Sequence, residues 1–354
     1  MKIIHCADIH LGSKMDSRLP ADKAEERRRE LRASFLNLCE YAKTNGVKAI
    51  LIAGDLFDSD RPLKKDKEFF YSAVKNNPEI DFLYLRGNHD GLQSYTEEPE
   101  NLKCFSPQWT AYNYGNACVS GLELTAENAN SLYSTLHLDA EKINIVALHG
   151  QLAEGRGADK INLSRLREKN IDYLALGHIH GYSCGKIDER GQYAYCGCLE
   201  GRGFDEAGDK GFILLDITDK VAAKFVPFAK RRVSVCGVDI SDCADGYAVY
   251  RKVKGGLDCK KSDIVRVILR GETALDGADI AQETATRLQS EGYYYIEVKN
   301  GTSLRLDLES LCADISLRGE FARAVLADEN LSDGEKREII ALGVRALDGR
   351  ELDL

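Results

Sequence analysis

No apolar run in this sequence approaches the length of a membrane span, so no transmembrane helix is expected. The opening Met1-Lys2-Ile3-Ile4-His5-Cys6-Ala7-Asp8 turns polar within a few residues and has no signal-peptide core, from which a cytoplasmic location is expected. Cys-x-x-Cys pairs are also missing. The 11 cysteines are odd in number and scattered, and without an export signal they are expected to be reduced and packed. The nearest pair, Cys196 and Cys198, reads as two strand residues on one face. A positive balance is absent too. A net charge of −9 argues against gripping nucleic acid by phosphate contacts alone, and any such binding must rest on local basic patches or on a partner. Low-complexity segments, long linkers and repeats are likewise lacking.

What remains is an ordinary globular composition, 44% hydrophobic and 30% charged, in 354 residues. That length exceeds what one core usually serves, so two or more domains are expected. Residues 1–230 alternate strands and helices. Strands are predicted at 2–7, 47–53, 80–85, 143–148 and 173–176, with helices at 21–45 and 65–76. In the first helix Phe35, Leu36, Leu38, Cys39 and Ala42 form the apolar stripe. After His180 come the strand-rich runs 192–197, 211–217 and 222–226, read as a second sheet packed on the first. Residues 233–300 read as a small α/β domain, and 301–354 as a region of short helices in which Ser332 and Glu335 have capping-box spacing.

The chemistry gathers where strands end. Of seven histidines, five lie there: His10, His89, His149, His178 and His180, accompanied by Asp8, Asp55, Asn88 and Asp90. Five strand ends together deliver polar residues, most beside a glycine that permits close approach to a ligand. Asp, His and Asn without Cys suit divalent ions of intermediate hardness, Mn²⁺, Fe²⁺ or Zn²⁺, rather than a structural zinc. Asp8 and His10 are two apart, as are His178 and His180, so in extended chain each pair shares a face. A carboxylate such as Asp55 has two oxygens and can span two cations. Each piece alone is weak; the ordered conjunction of all five carries the reading.

That ordered set, Asp8-Ile9-His10, Gly54-Asp55, Gly87-Asn88-His89-Asp90, His149-Gly150 and Gly177-His178-Ile179-His180, resembles the signature of the calcineurin-like metallophosphoesterase superfamily. The resemblance spans roughly residues 1–230. It implies an α/β fold: a four-layer α/β/β/α sandwich, here followed by a small α/β capping domain and a short helical C-terminal region. It further implies two divalent ions, Mn²⁺ first, with Fe²⁺, Zn²⁺ and Mg²⁺ compatible. One ion would be held by Asp8, His10, Asp55 and His180, the other by Asp55, Asn88, His149 and His178. Such a pair would activate a shared water and clamp phosphate oxygens. His89 would stand outside the ligand set as the catalytic histidine near the leaving group, with Asp90 either orienting its imidazole or simply forming the turn.

The flanking sequence narrows the substrate. His5-Cys6-Ala7-Asp8-Ile9-His10-Leu11-Gly12 and Gly54-Asp55-Leu56-Phe57-Asp58 resemble segments of the SbcD-type nucleases. So does the stretch from Tyr195 through Phe204-Asp205-Glu206 to Lys210-Gly211, except that Cys198 replaces the usual Ser. The end of the chain resembles the shorter YhaO-like members. This resemblance implies a Mn-dependent DNA exo/endonuclease subunit of an SbcCD-like repair complex, acting on DNA as a homodimer. The partner implied is an SMC-like ABC ATPase of the SbcC type. It must be a separate subunit, because this chain has no Gly-x-x-x-x-Gly-Lys-[Ser/Thr] loop. Residues 301–354, with Leu306, Leu308, Leu311, Phe321, Val325 and Leu326 at helical spacing, are expected either to dock that ATPase or to pack on their own domain. Arg61, Lys64, Arg86, Arg156 and Arg202 are the candidate substrate contacts, while Arg27–Arg29 and Lys230–Arg232 read as solvated charge. Two alternatives stand beside the nuclease: a phosphatase or phosphodiesterase for a small molecule or phosphoprotein, and a DNA-binding scaffold without activity.

Overall fold

A computed structural model describes residues 1–15, 19–90, 98–155 and 157–347, and the chain divides into two compact units, Met1–Val233 and Ser234–Leu354. In the first unit the strands Lys2–Cys6, Val47–Ala53, Asp81–Leu85 and Leu102–Cys104 pair in parallel, in that order. Alternation along each strand sends side chains to two different cores. Ile4, Ile50, Ile52, Phe82 and Tyr84 face helices Ala21–Thr44 and Lys64–Lys75, meeting Leu31, Phe35, Leu38 and Phe70. Ile3, Ala7, Ala49, Leu51, Ala53, Leu83 and Leu85 face the other way, toward a second sheet.

The second sheet is built on Ile143–His149 and Tyr173–Gly177, parallel neighbours with Gly177 opposite His149. Thr110–Tyr114 and Ala117–Gly121 extend one side of it, and Gln192–Tyr195 and Ser183–Lys186 the other. Its inner face contributes Ile145, Ala147, Tyr173 and Ala175 to the core between the sheets. Its outer face is covered by a thin layer, a one-turn helix Leu132–Thr135 and a 3-10 turn Leu163–Leu166, with Leu132, Tyr133 and Leu166 buried on it. The four layers are therefore present, with the last reduced to short turns.

One expectation is corrected. The strands after His180 do not together make the second sheet. Gly211–Ile217 returns to the first sheet, antiparallel to Lys2–Cys6, and Val221–Pro227 pairs beyond it. The reason lies in the pattern of Gly211–Ile217, where Ile213, Leu215 and Ile217 join the core between the sheets while Phe212 reaches the helix side. A strand with apolar side chains on both faces belongs inside a covered sheet. Here it pairs along what would otherwise be an exposed edge of Lys2–Cys6.

The second unit carries a three-stranded sheet of Val233–Asp239, Ile264–Arg270 and Tyr295–Asn300 with helices Gly246–Gly256 and Gly277–Ser290. Asp245 and Asp276 cap these helices through their carboxylates. Helices Leu308–Ala313, Leu317–Ala327 and Asp333–Leu347 follow, the last with the Ser332–Glu335 capping box formed in both directions. Leu306, Leu308, Leu311, Val325 and Leu326 pack around Ala322, Ile340 and Val344 in a small core of their own. Ile315 and Leu317 remain exposed, at 96% and 69%. No described helix is long and apolar enough to cross a membrane.

Candidate metal centre

The carboxyl ends of the two sheets meet. Small residues allow it: a Cβ on Gly177 would stand 2.0 Å from the Ala53 carbonyl oxygen and 2.9 Å from the Ala7 Cβ. Gly54 serves likewise, since a Cβ there would lie 2.0 Å from His149 Nδ1. Strain accumulates at this seam. Asp8, His10, Asp55 and His178 all have positive φ, at 50°, 53°, 50° and 96°, which side chains other than glycine rarely adopt. Conformations that cost about 1–3 kcal/mol each persist where the surrounding structure demands them. Here, backbone bonds from Asp8 to Gly54 and from His10 to Asp55 (3.0 Å each) hold the two loops together.

Asp8, His10 and His180 present ligand atoms within 4.8 Å of one another, and so do Asp8, Asp55 and His149. Asp8 is 1% exposed, and its carboxylate accepts the His178 backbone N–H at 3.0 and 3.1 Å. The Nε2 atoms of His10 and His180 face each other at 3.3 Å, an approach suited to two ligands of one cation. Asp55 is 2% exposed; its Oδ1 accepts the His89 backbone N–H at 2.9 Å while its Oδ2 faces His149 Nε2 at 3.4 Å, so the two oxygens look in different directions, as a bridging ligand requires. His149 Nδ1 lies 2.9 Å from the Ala53 carbonyl, which can only accept, so Nδ1 carries the proton. Its Nε2 is buried without a hydrogen-bond partner. A buried, unpartnered imidazole nitrogen between carboxylates fits a metal ligand.

The electrostatics agree. Burial opposes a charge on His149, but the Asp55 carboxylate at 3.4 Å and the Asp8 charge outweigh it and raise its pKa to about 9, so the pocket draws positive charge to this point. Asp8 is pushed up to about 6 by burial, against the histidines around it. Burial would raise Asp55 as well, yet His149 holds it well below the usual carboxylate range. The donor set of oxygens and imidazoles thus fits divalent ions. His5, by contrast, is a core residue bonded to the Tyr173 hydroxyl at 2.9 Å, and burial pushes its pKa down to about 3.

The remaining predicted residues divide. Asn88 and His89 are exposed beside this cluster, and the His89 ring meets the His10 ring edge-on at 5.4 Å. His178 is half-buried with its ring edge-on to His149, also at 5.4 Å. Asp90 is buried within its turn. Its carboxylate accepts backbone N–H groups of Leu56, Phe57 and Gly87 at 3.1, 2.8 and 3.0 Å, and so ties the Asp55 loop to the Asn88 loop. Arg86 is paired through two bonds with Glu123, and Arg202 with Asp58 and Glu206. Arg61 and Lys64 are exposed, and Arg156 lies outside the described residues. Arg27 is not solvated charge. It is 1% exposed and bonded to Glu200 at 2.8 Å, itself fully buried.

Three supporting residues had not been assigned roles from sequence. Glu206 Oε1 accepts from His180 Nδ1 at 2.7 Å, Lys210 Nζ donates to the His180 carbonyl at 2.6 Å, and Asp58 Oδ1 lies 3.2 Å from His10 Nδ1. All three belong to the segments that carried the nuclease resemblance, which was their available signal. Cys198, in place of Ser, is buried with its sulfur 3.6 Å from both Glu206 Oε2 and the His180 carbonyl. Burial pushes its thiol well above the ordinary range, so it stays a neutral, weak donor where the hydroxyl would sit.

Comparison with known proteins agrees with this geometry. Residues 1–182 match the family model described as calcineurin-like phosphoesterase. The chain is 29% identical over 296 residues to "Uncharacterized metallophosphoesterase YhaO" of Bacillus subtilis, covering 77% of this chain and 72% of that protein. It is 24% identical over 380 residues to "DNA double-strand break repair protein Mre11" of Sulfurisphaera tokodaii, covering 99% and 94%. A subunit of the nuclease SbcCD of Rhodobacter capsulatus is 34% identical over 104 residues, 28% of this chain and 24% of that protein.

Proposed function

We propose that this chain, which belongs to the calcineurin-like phosphoesterase family and is a metal-dependent hydrolase, cleaves phosphodiester bonds of DNA as the nuclease subunit of a repair complex. The observation that carries this is the similarity to a DNA double-strand break repair protein over 99% of the chain, well past the metal centre and through the second unit. Family membership alone would leave the substrate open. Asp8, His10, Asp55 and His180 would hold one ion, and Asp55, Asn88, His149 and His178 the other; manganese is the proposed metal.

When bound, the two ions supply Lewis acidity to the phosphoryl oxygens and make water a better nucleophile. The chain's own residues do the rest. Asp90 holds the Asp55 and Asn88 loops in register through three backbone N–H groups. His149 keeps its proton on Nδ1 against Ala53. His89, exposed at the edge of the cluster, is the group we assign to the leaving oxygen, as donor of a proton or a charged hydrogen bond. The partner in this reading is a separate ABC ATPase, to which the exposed Ile315 and Leu317 offer apolar contacts. A homodimer and a cytoplasmic location are parts of the proposal.

The test is cleavage of labelled hairpin and single-stranded oligonucleotides by the purified chain with Mn²⁺, beside a p-nitrophenyl phosphodiester. Oligonucleotide cleavage is expected, falling about 10²-fold or more in His89→Ala with metal content unchanged. Hydrolysis of the small ester with intact DNA would instead favour a small-molecule phosphoesterase. Loss of bound metal in His89→Ala would return His89 to the ligand set.

A further inference from the structure

The two metal positions are not built alike. His10 and His180, whose Nε2 atoms lie 3.3 Å apart, each have a carboxylate behind the ring, Asp58 Oδ1 at 3.2 Å from His10 Nδ1 and Glu206 Oε1 at 2.7 Å from His180 Nδ1. The Asp58 contact has ion-pair distance, although the His10 N–H is not aligned on it as a hydrogen bond. One guanidinium joins the two carboxylates. Arg202 Nη1 reaches Asp58 Oδ1 at 2.9 Å, its Nη2 and Nε reach Glu206 Oε1 at 2.7 and 3.0 Å, and its own backbone N–H bonds Glu206 Oε2 at 2.7 Å. The carbonyl of His180 is held as well, by Lys210 at 2.6 Å.

At the other position the backing is lighter. His149 leans on a neutral carbonyl, Ala53, at 2.9 Å. Asn88 is exposed, and the His178 ring lies edge-on against His149. A carboxylate behind a metal-binding imidazole fixes its tautomer and makes it a stronger ligand, whereas an exposed ligand must be ordered when the ion arrives.

We infer that Arg202 is a positioning residue, clamping Asp58 and Glu206 behind His10 and His180, and that the ion held by these histidines binds first and more tightly than the ion at His149, His178 and Asn88. Arg202 then meets no substrate. Its Nη2 also comes within 3.2 Å of His180 Nδ1, but Glu206 is nearer and negative, and accepts the ring N–H. Were the guanidinium to donate to Nδ1 instead, the His180 proton would sit on Nε2 and block ligation.

This rests on the two-ion reading of the site, and the experiment separates the two. Mn²⁺ is titrated into the metal-free full chain by calorimetry, and the bound ions are examined by electron paramagnetic resonance for a spin-coupled pair. Two events are expected, the first about 10-fold tighter or more. His178→Ala should keep the first and lose both the second and the coupled signal. Arg202→Met should weaken the first event about 10-fold or more and narrow the gap, since partners behind metal ligands are typically worth 10–100-fold in affinity. Glu206→Gln should reproduce this and carries the test if Arg202→Met does not fold. Equal affinities in the wild type, or a first event within twofold of wild type in both variants, would overturn the inference. A raised KM for oligonucleotide in Arg202→Met with unchanged metal affinity would do so too, by making Arg202 a substrate contact. Failure of the wild-type chain to bind Mn²⁺ at all would instead overturn the two-ion reading itself.

Discussion

Arg27 and Arg202 are both locked onto carboxylates supplied by the same stretch of chain, yet they support different things. Arg27 bonds Glu200 at 2.8 Å and the Gly201 carbonyl at 3.0 Å, and Glu200 also accepts from Ser34 at 2.6 Å and from the Lys230 backbone N–H at 2.6 Å. That cluster joins the long Ala21–Thr44 helix to the segments at 200 and 230, and touches no metal ligand. Arg202 lies two residues beyond Glu200 and sits behind His10 and His180. The same chemistry thus serves the fold at one end of a short segment and the site at the other. A buried ion pair contributes little net stability compared with a well-packed apolar pair, but removing one partner strands the other. Breaking the two clusters should therefore give separable phenotypes.

The largest effect is expected at Glu200. Glu200→Gln leaves the Arg27 guanidinium, 1% exposed, with Glu30 at 2.5 Å as its remaining carboxylate, and should destabilise the chain by about 1.5–3 kcal/mol, read as a lower urea midpoint by circular dichroism. At temperatures where the variant stays folded, Mn²⁺ affinity should match wild type. If metal affinity fell in step with stability, the two clusters would be one unit. Ser34→Ala is a gentler version of the same break. It removes one donor to a buried carboxylate that keeps its other partners, so a loss of about 1–2 kcal/mol is expected, with hydrolysis per folded molecule unchanged. A drop in turnover without a drop in stability would put the Arg27 cluster in the site.

This division also marks where sequence could be read and where it could not. The gathering of Asp8, His10, Asp55, His149 and His180 was legible because apolar strands end abruptly at or just before them, mostly beside a glycine that is a close contact rather than a generic turn. The alternation along Val47–Ala53 and Asp81–Leu85 was legible for the same local reason. Arg27 reads as solvated because the partner that buries it, Glu200, is 173 residues away, while its pair with Glu30 looks like ordinary surface helix charge. Asp58 and Glu206 stood inside segments whose resemblance was noticed, but a carboxylate behind a histidine has no signature of its own. Sheet membership failed at Gly211–Ile217, since a strand's pattern shows how its faces are covered and not which neighbour it pairs with. Thr110–Tyr114, an edge strand with half-buried and exposed residues alternating, was missed because its alternation is shallow.

The smallest effect falls on the cations that neither cluster uses. Five basic residues were candidates for the substrate. Arg86 and Arg202 are engaged by carboxylates, which leaves Arg61 and Lys64 exposed among the described residues. Lys64 is 89% exposed and its neighbour Glu68, one helical turn on, is 3.5 Å away. Such a surface pair contributes only about 0.3–0.5 kcal/mol, so Arg61→Ala with Lys64→Ala should move stability by about 0.5 kcal/mol or less. If these two side chains meet DNA phosphates, the double variant should bind oligonucleotide more weakly at every sequence, and the slope of log affinity against log salt should flatten by about 1–2. An unchanged slope would mean that these two cations do not offset this chain's negative balance toward DNA. DNA affinity would then have to come from other basic residues of the chain or from a partner, and not from the cations that follow the Asp55 loop.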